Sequence, residues 1–137
     1  MKDCADVVNA AIIRHNRILL VGKKYRGMEY LILPGGKRQE RENDFECLER
    51  EVGEELSGAK TIINQRPYRS FAGTTPSGGQ ARVQVYFADL MNGSEVKPSK
   101  EITSATWSDY SLAIAQRNLS DITRAVLKSL HDDEKLY

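Results

Sequence analysis

Three glutamates, Glu51, Glu54 and Glu55, stand at i, i+3 and i+4 in a stretch that reads as helix, a spacing that brings their side chains to one face. Like charges so spaced destabilise an isolated helix by about 0.2–0.5 kcal/mol per pair, so the cluster wants a compensating cation. Carboxylate oxygens are hard ligands, and at this density they suit Mg²⁺ or Mn²⁺, ions usually held by a few carboxylates together with water and substrate phosphates. Upstream lies Pro34-Gly35-Gly36-Lys37, a glycine turn whose backbone could approach a ligand closely. Glycine loops that lead into helices are where phosphates bind. A solvated acidic face, with Arg38, Arg41 and Arg50 as surface partners, explains the acids but not the turn ahead of them.

An acidic helix needs an apolar face to dock it. Phe45, Leu48, Val52 and Leu56 recur at spacings of three and four and make one stripe, with Asn43 or Asp44 as the N-cap and Ser57-Gly58 as the stop. On this reading the stripe faces the core and the three glutamates face solvent. Residues 30–33, a short apolar run ended by the glycine turn, read as a buried strand that delivers the chain into it. Residues 7–13 and 18–21 flank His15-Asn16, and because Asn tolerates left-handed backbone they read as a hairpin with His15 in the turn. Residues 61–71 are strand-like but interrupted by Pro67, and residues 73–79 form a loop. Residues 80–90 alternate, with Val83, Val85 and Phe87 on a dry face and Arg82, Gln84 and Tyr86 on a wet one. A last strand falls near Trp107, and residues 119–130, with Ser120 as cap and Ile122, Val126, Leu127 and Leu130 at helical spacing, predict an amphipathic helix on the sheet. Strands and helices intermix without repeat or linker, which predicts one domain over residues 1–137, of α/β (α+β) class.

The stretch from the glycine turn to Gly58 resembles the signature of the Nudix hydrolases: Gly, five residues, Glu, seven residues, then Arg-Glu-hydrophobic-any-Glu-Glu-any-Gly-hydrophobic. Gly36, Glu42, Arg50, Glu51, Val52, Glu54 and Glu55 fall on it in register. So many fixed places at fixed spacing are far more specific than a glycine loop alone. Two letters depart: Ser57 stands where the family has Gly, and Arg41 where many relatives carry Gly. The first bears on the helix end, the second on the loop, which Arg41 could tighten or supply with a positive charge.

The resemblance implies a mixed sheet sandwiched between helices, and a Mg²⁺-dependent pyrophosphohydrolase, with Mn²⁺ as an alternative ion. Glu51, Glu54 and Glu55, with the Gly36 carbonyl, would bind the metal, and Arg50 would pair with Glu42 to orient the acids. Glu101, six residues before Trp107, matches a place where relatives often carry a further metal or base carboxylate; an exposed loop glutamate is its plain alternative. Catalytic candidates are therefore Glu51, Glu54, Glu55, Arg50 and Glu101. Substrate-binding candidates are Gly35, Gly36 and Lys37 of the turn, with Arg82 as a cation that could steer a polyphosphate. Lys23, Lys24 and Arg26 could do the same, although charges beside a strand end are usually a solvated surface. Tyr25, Tyr30, Tyr68 and Tyr86 could stack on a base, but sheet tyrosines more often pack. Of the substrates, nucleoside triphosphates fit a compact chain best, ahead of dinucleoside polyphosphates and ADP-ribose. A nucleotide- or RNA-binding module without turnover is the competing class; such modules can lose the glutamates, and here all three are present.

Composition narrows the partners. Lys+Arg 20 against Asp+Glu 19 leaves a net charge of +1, so no global field favours nucleic acid or an anionic membrane. Cys4 and Cys47 share no metal-ligand spacing and read as free thiols of a reducing cytoplasm. The N-terminus is acidic where a signal peptide is basic and then apolar, and no run is long enough to span a membrane. The expected partner is a small-molecule nucleotide, in the cytoplasm, with no nucleic acid. Many relatives pair, so a homodimer is compatible, though nothing in the sequence requires one.

Overall fold

The computed structural model describes residues 4–57, 62–91, 97–99 and 102–137. Strand β1 (Cys4–Ala11) is followed by β2 (Ile13–Arg14), which turns back on β3 (Arg17–Tyr25) through His15 and Asn16, both left-handed (φ 50° and 58°). Arg26 and Gly27 (φ 53° and 80°) then lead β3 into β4 (Met28–Ile32). Two-residue links match the right-handed twist of their strands when both central residues have positive φ, which Asn and Gly tolerate best. The expected hairpin at His15-Asn16 thus forms, but of the first apolar run only Ile13 belongs to its paired strand, together with Arg14 beyond the run. Residues 4–11 belong to a different sheet, because β1 pairs in parallel with a strand far along the chain.

After β4 the chain forms β5 (Gly35–Lys37), α1 (Asp44–Glu55), β6 (Leu56–Ser57), β7 (Ile62–Thr74) and β8 (Gln80–Leu90). It ends with β9 (Lys97–Pro98), β10 (Ile102–Ser108), the short α2 (Tyr110–Ile114) and α3 (Asp121–Asp132). One sheet has the order β5-β1-β8-β7, with β1 and β8 parallel and its other pairs antiparallel. A second places β3 between β10 on one side and β2 and β4 on the other, and β6 pairs with β9. Pro67 does not break β7 as expected. The strand lies at a sheet edge, and its register with β8 shifts between Ile63 and Arg66 and again between Pro67 and Ser70, so the missing N–H falls where pairing is irregular.

Period-2 alternation divides the core between the two faces of the sheets. Val8 and Ala10 of β1 and Leu19 and Val21 of β3 join Leu48 and Val52 of α1. Ala11, Ile18 and Leu20 join Val126, Leu127 and Leu130 of α3. The result is the expected mixed sheet between helices. It also corrects the wet face of β8: beyond Gln84, Ala88 and Leu90 are buried and Tyr86 is half-buried against the α1 cluster, because α1 covers that end of the strand.

Candidate active site

Helix α1 starts under a capping box. The Asn43 side chain accepts the Glu46 N–H (2.8 Å), and the Glu46 carboxylate accepts the Asn43 N–H (2.9 Å). Asp44, the other candidate cap, instead accepts from the Tyr86 hydroxyl at 2.6 Å and from Arg38 at 3.1 Å. The stop comes earlier than Ser57-Gly58: Leu56 is already extended (φ −117°, ψ 102°) and pairs with Pro98, while Gly58 lies outside the described residues. Phe45 also departs from expectation. It is 47% exposed in the first turn of the helix, where its ring meets that of Tyr86 edge to face (5.4 Å between centroids).

The three glutamates do not share one solvent face. At about 100° per residue, Glu55 lies about 20° from Leu48 around the helix, Glu51 about 60° and Glu54 about 120°. Exposure follows that order: Glu55 is 5% exposed, and the side chains of Glu51 and Glu54 are 16% and 44% exposed. Glu55 turns inward and accepts the Gly35 N–H at 2.9 Å. Counting the same angles in the sequence reveals its buried place, which grouping the acids by spacing conceals.

Arg50 gathers the rest. Its Nε and Nη2 donate to the two carboxylate oxygens of Glu42 (2.7 and 2.9 Å), Nη1 donates to Glu51 (2.7 Å), and Nη2 also reaches the Lys37 carbonyl (3.1 Å). Glu54 stands 3.6 Å from Nη1. The hydrogen bonds from Arg50, and then the Gln39 amide, hold the Glu42 carboxyl down at about 2, and the hydrogen bonds to Glu42, and then Glu51, push the Arg50 guanidinium further up. Burial raises the Cys47 thiol to about 12; its Sγ lies 3.6 Å from the Gly36 carbonyl. Arg41, ahead of Glu42, has left-handed backbone (φ 66°), the conformation glycine adopts without strain. It does not line the cavity described next.

A cavity of about 780 Å³ opens beside these groups. One wall carries Gly35, Gly36 and Lys37 of β5 and Arg50, Glu51, Glu54 and Glu55 of α1. Lys23 and Tyr25 of β3 form another, and the β7–β8 loop contributes Thr75 and Ser77. Arg82 is not part of it. Ala81 and Val83 line the cavity, so alternation turns Arg82 to the opposite face of β8, where it is exposed. Glu101 lies outside the described residues. Of the four tyrosines only Tyr25 is on the cavity wall: Tyr30 meets its edge, the Tyr68 hydroxyl binds Asp133 (2.7 Å), and that of Tyr86 binds Asp44. Thr75, Ser77 and Ser99 were not legible as site residues, since a hydroxyl in a loop carries no local pattern.

The donor set fits a hard divalent ion. Its donors are all oxygens, and Gly36 leaves room for them: a Cβ there would run into the Glu51 carboxylate. Among the described residues no three His, Cys, Asp or Glu side chains converge as a ready-made cage; Glu51 and Glu54 lie instead against Arg50.

A family model for the NUDIX domain matches residues 5–130. The chain belongs to the Nudix family. Nudix hydrolases act on small-molecule nucleotide substrates and generally need a divalent metal, and this chain is a Nudix hydrolase. Solved structures share its fold. A MutT Nudix hydrolase from Burkholderia pseudomallei is 24% identical, with a TM-score of 0.75 over 93% of this chain and 98% of that one. The ORF135 protein of E. coli is 20% identical, with a TM-score of 0.76 over 97% and 92%. A possible asymmetric diadenosine tetraphosphate hydrolase from Jonesia denitrificans is 15% identical, with a TM-score of 0.77 over 98% of each chain. No curated protein matches the sequence significantly. Among the described residues of this Nudix chain, no helix is long and apolar enough to cross a membrane.

Proposed function

We propose that this Nudix hydrolase is a Mg²⁺-dependent pyrophosphohydrolase that cleaves a nucleoside diphosphate linked to another moiety, with a (deoxy)nucleoside triphosphate as its substrate. The reading rests on one observation above all: the α1 glutamates, the glycine turn, Lys23, Lys37 and Tyr25 border the same cavity. Its volume of about 780 Å³ suits one nucleoside with its phosphates. A dinucleoside polyphosphate would leave its second nucleoside outside, and ADP-ribose remains the next candidate.

Glu51, Glu54, Glu55 and the Gly36 carbonyl would hold the ion. When bound, Mg²⁺ would lower the pKa of the attacking water and neutralise charge on the departing phosphate. Lys23 and Lys37 draw the polyphosphate towards the acidic wall, and the Tyr25 ring offers the base a surface. Arg50 keeps Glu51 aligned, and the Gly35 amide fixes the Glu55 carboxylate. A carboxylate takes the proton of the attacking water as its oxygen bonds to phosphorus. The bridging oxygen then leaves with the departing phosphate, and two phosphate-bearing products result.

The same reading takes residues 1–137 as a single domain in the cytoplasm, with its two cysteines free. Its partner is a free nucleotide, with neither nucleic acid nor membrane involved, and a homodimer would not conflict with it.

A phosphate-release screen with Mg²⁺ over nucleoside triphosphates, dinucleoside polyphosphates and ADP-ribose tests the proposal, repeated with Glu55→Gln. Turnover is expected on a triphosphate, reduced by about 10²-fold or more in the variant. No turnover on any substrate, or an unaffected variant, would overturn it; nucleotide binding without turnover would favour a binding module.

A further inference from the structure

The C-terminal end of α1 carries a conflict. Glu54 and Glu55 occupy its last turn, where backbone carbonyls already concentrate negative charge and the helix's own last turn holds no basic residue; Arg50, a turn earlier, stands 3.6 Å from Glu54. The backbone does not close the helix with a left-handed residue either, since Leu56 leaves in extended conformation. Among the last carbonyls, that of Val52 receives the Leu56 N–H. Those of Glu54 and Glu55 are met from a distant part of the chain. Ser99 Oγ donates to the Glu54 carbonyl at 2.5 Å, and the Ser99 N–H donates to the Glu55 carbonyl at 3.0 Å. The pairs Leu56–Pro98 and Ser57–Lys97 between β6 and β9 bring Ser99 to that point. Ser99 is half-buried and lines the cavity.

We propose that Ser99 is a positioning residue for the Nudix reaction: its hydroxyl and amide cap the C-terminal end of α1 and hold Glu54 and Glu55 in the orientation that binding a divalent ion requires. The inference rests on the metal-dependent reading above. It also gives Ser57 a context, because the chain here runs straight into the β6–β9 pair and takes its cap from across that pair. Removing the hydroxyl strips the Glu54 carbonyl of its Ser99 bond while the amide bond to Glu55 stays. The last turn then loosens where two acids already oppose the helix field. The cost should fall on the ion and on kcat, since Ser99 orients the acids and does not touch the groups proposed to hold the nucleotide's base and phosphates.

The intact protein is compared with Ser99→Ala and Ser99→Thr. Mn²⁺ binding is followed by the loss of the free-ion electron paramagnetic resonance signal without nucleotide, and hydrogen exchange at the Leu56 amide is measured without metal. Ser99→Ala is expected to weaken Mn²⁺ binding about tenfold, to lower kcat by a similar factor with KM for the nucleotide little changed, and to speed Leu56 exchange. Ser99→Thr, which keeps a hydroxyl, should restore all three. Wild-type Mn²⁺ affinity in Ser99→Ala, or a threonine variant that behaves like alanine, would overturn the proposal. If the wild type turns over no nucleotide, the substrate reading fails, while the Mn²⁺ and exchange results still decide the role of Ser99.

Discussion

Helices α1 and α3 are twelve residues each and cover opposite faces of the sheets, yet they are built for different ends. Both begin under a side-chain cap with acid in the first turn: Asn43 with Asp44 and Glu46, Ser120 with Asp121. They diverge towards their C-termini. Helix α3 has His131 in its last turn and buries Ile122, Thr123, Val126, Leu127 and Leu130. Helix α1 has no basic residue in its last turn and buries Glu55 beside Leu48 and Val52. In α3 the cap, the first-turn acid, the buried stripe and His131 agree with its place in the fold, and Asp132 at its last position is the one local choice that opposes the helix field. In α1 the second half opposes helix stability, and groups outside the helix hold it: Glu42 through Arg50, the Gly35 amide and Ser99. One helix anchors the sandwich, and on the proposed function the other would carry chemistry at a cost its neighbours offset.

Substitutions on the two helices should separate stability from activity. Leu127→Ala, in the fully buried stripe of α3, is expected to cost about 3 kcal/mol in denaturant unfolding, with kcat of the folded protein little changed. Glu55→Gln should do the reverse. Turnover falls by about 10²-fold, equivalent to about 2.7 kcal/mol of barrier, while the denaturation midpoint stays level or rises. The buried carboxyl becomes an amide of the same shape that can still accept the Gly35 N–H. If Glu55→Gln instead unfolds the protein as Leu127→Ala does, the division of labour between the helices is wrong.

The N-terminal caps are the control, since there the helices are alike. Asn43→Ala and Ser120→Ala should each cost about 1 kcal/mol in thermal unfolding, and a much larger loss at Asn43 would mean that the start of α1 also depends on the site. The smallest effect is one of pH. The Glu42 carboxyl lies below its ordinary 4.5, at about 2, so its pairing with Arg50 stabilises the fold above pH 4.5 and is lost as pH falls towards about 2. Acid unfolding of the wild type should show a dependence in that window that Glu42→Gln lacks.

The sequence by itself determined whatever depends on near neighbours in the chain. The left-handed turn at His15-Asn16, the caps of α1 and α3, the helical stripes and the spacing of the family signature are local properties, set by one side chain and the backbone beside it. Even the inward turn of Glu55 follows from the helical angle between it and Leu48. Tertiary structure alone decided the parallel pairing of β1 with β8, which moves the first apolar run out of its hairpin, and the second buried face of β8, which exists only because α1 lies on it. It also decided which cations reach the site, admitting Lys23 and Lys37 and turning Arg82 away. Ser99 was equally invisible, because a hydroxyl that caps a helix from 45 residues away leaves no period in the sequence. Such contacts arise when sheets close and bring distant segments together, and no local preference along the chain records them.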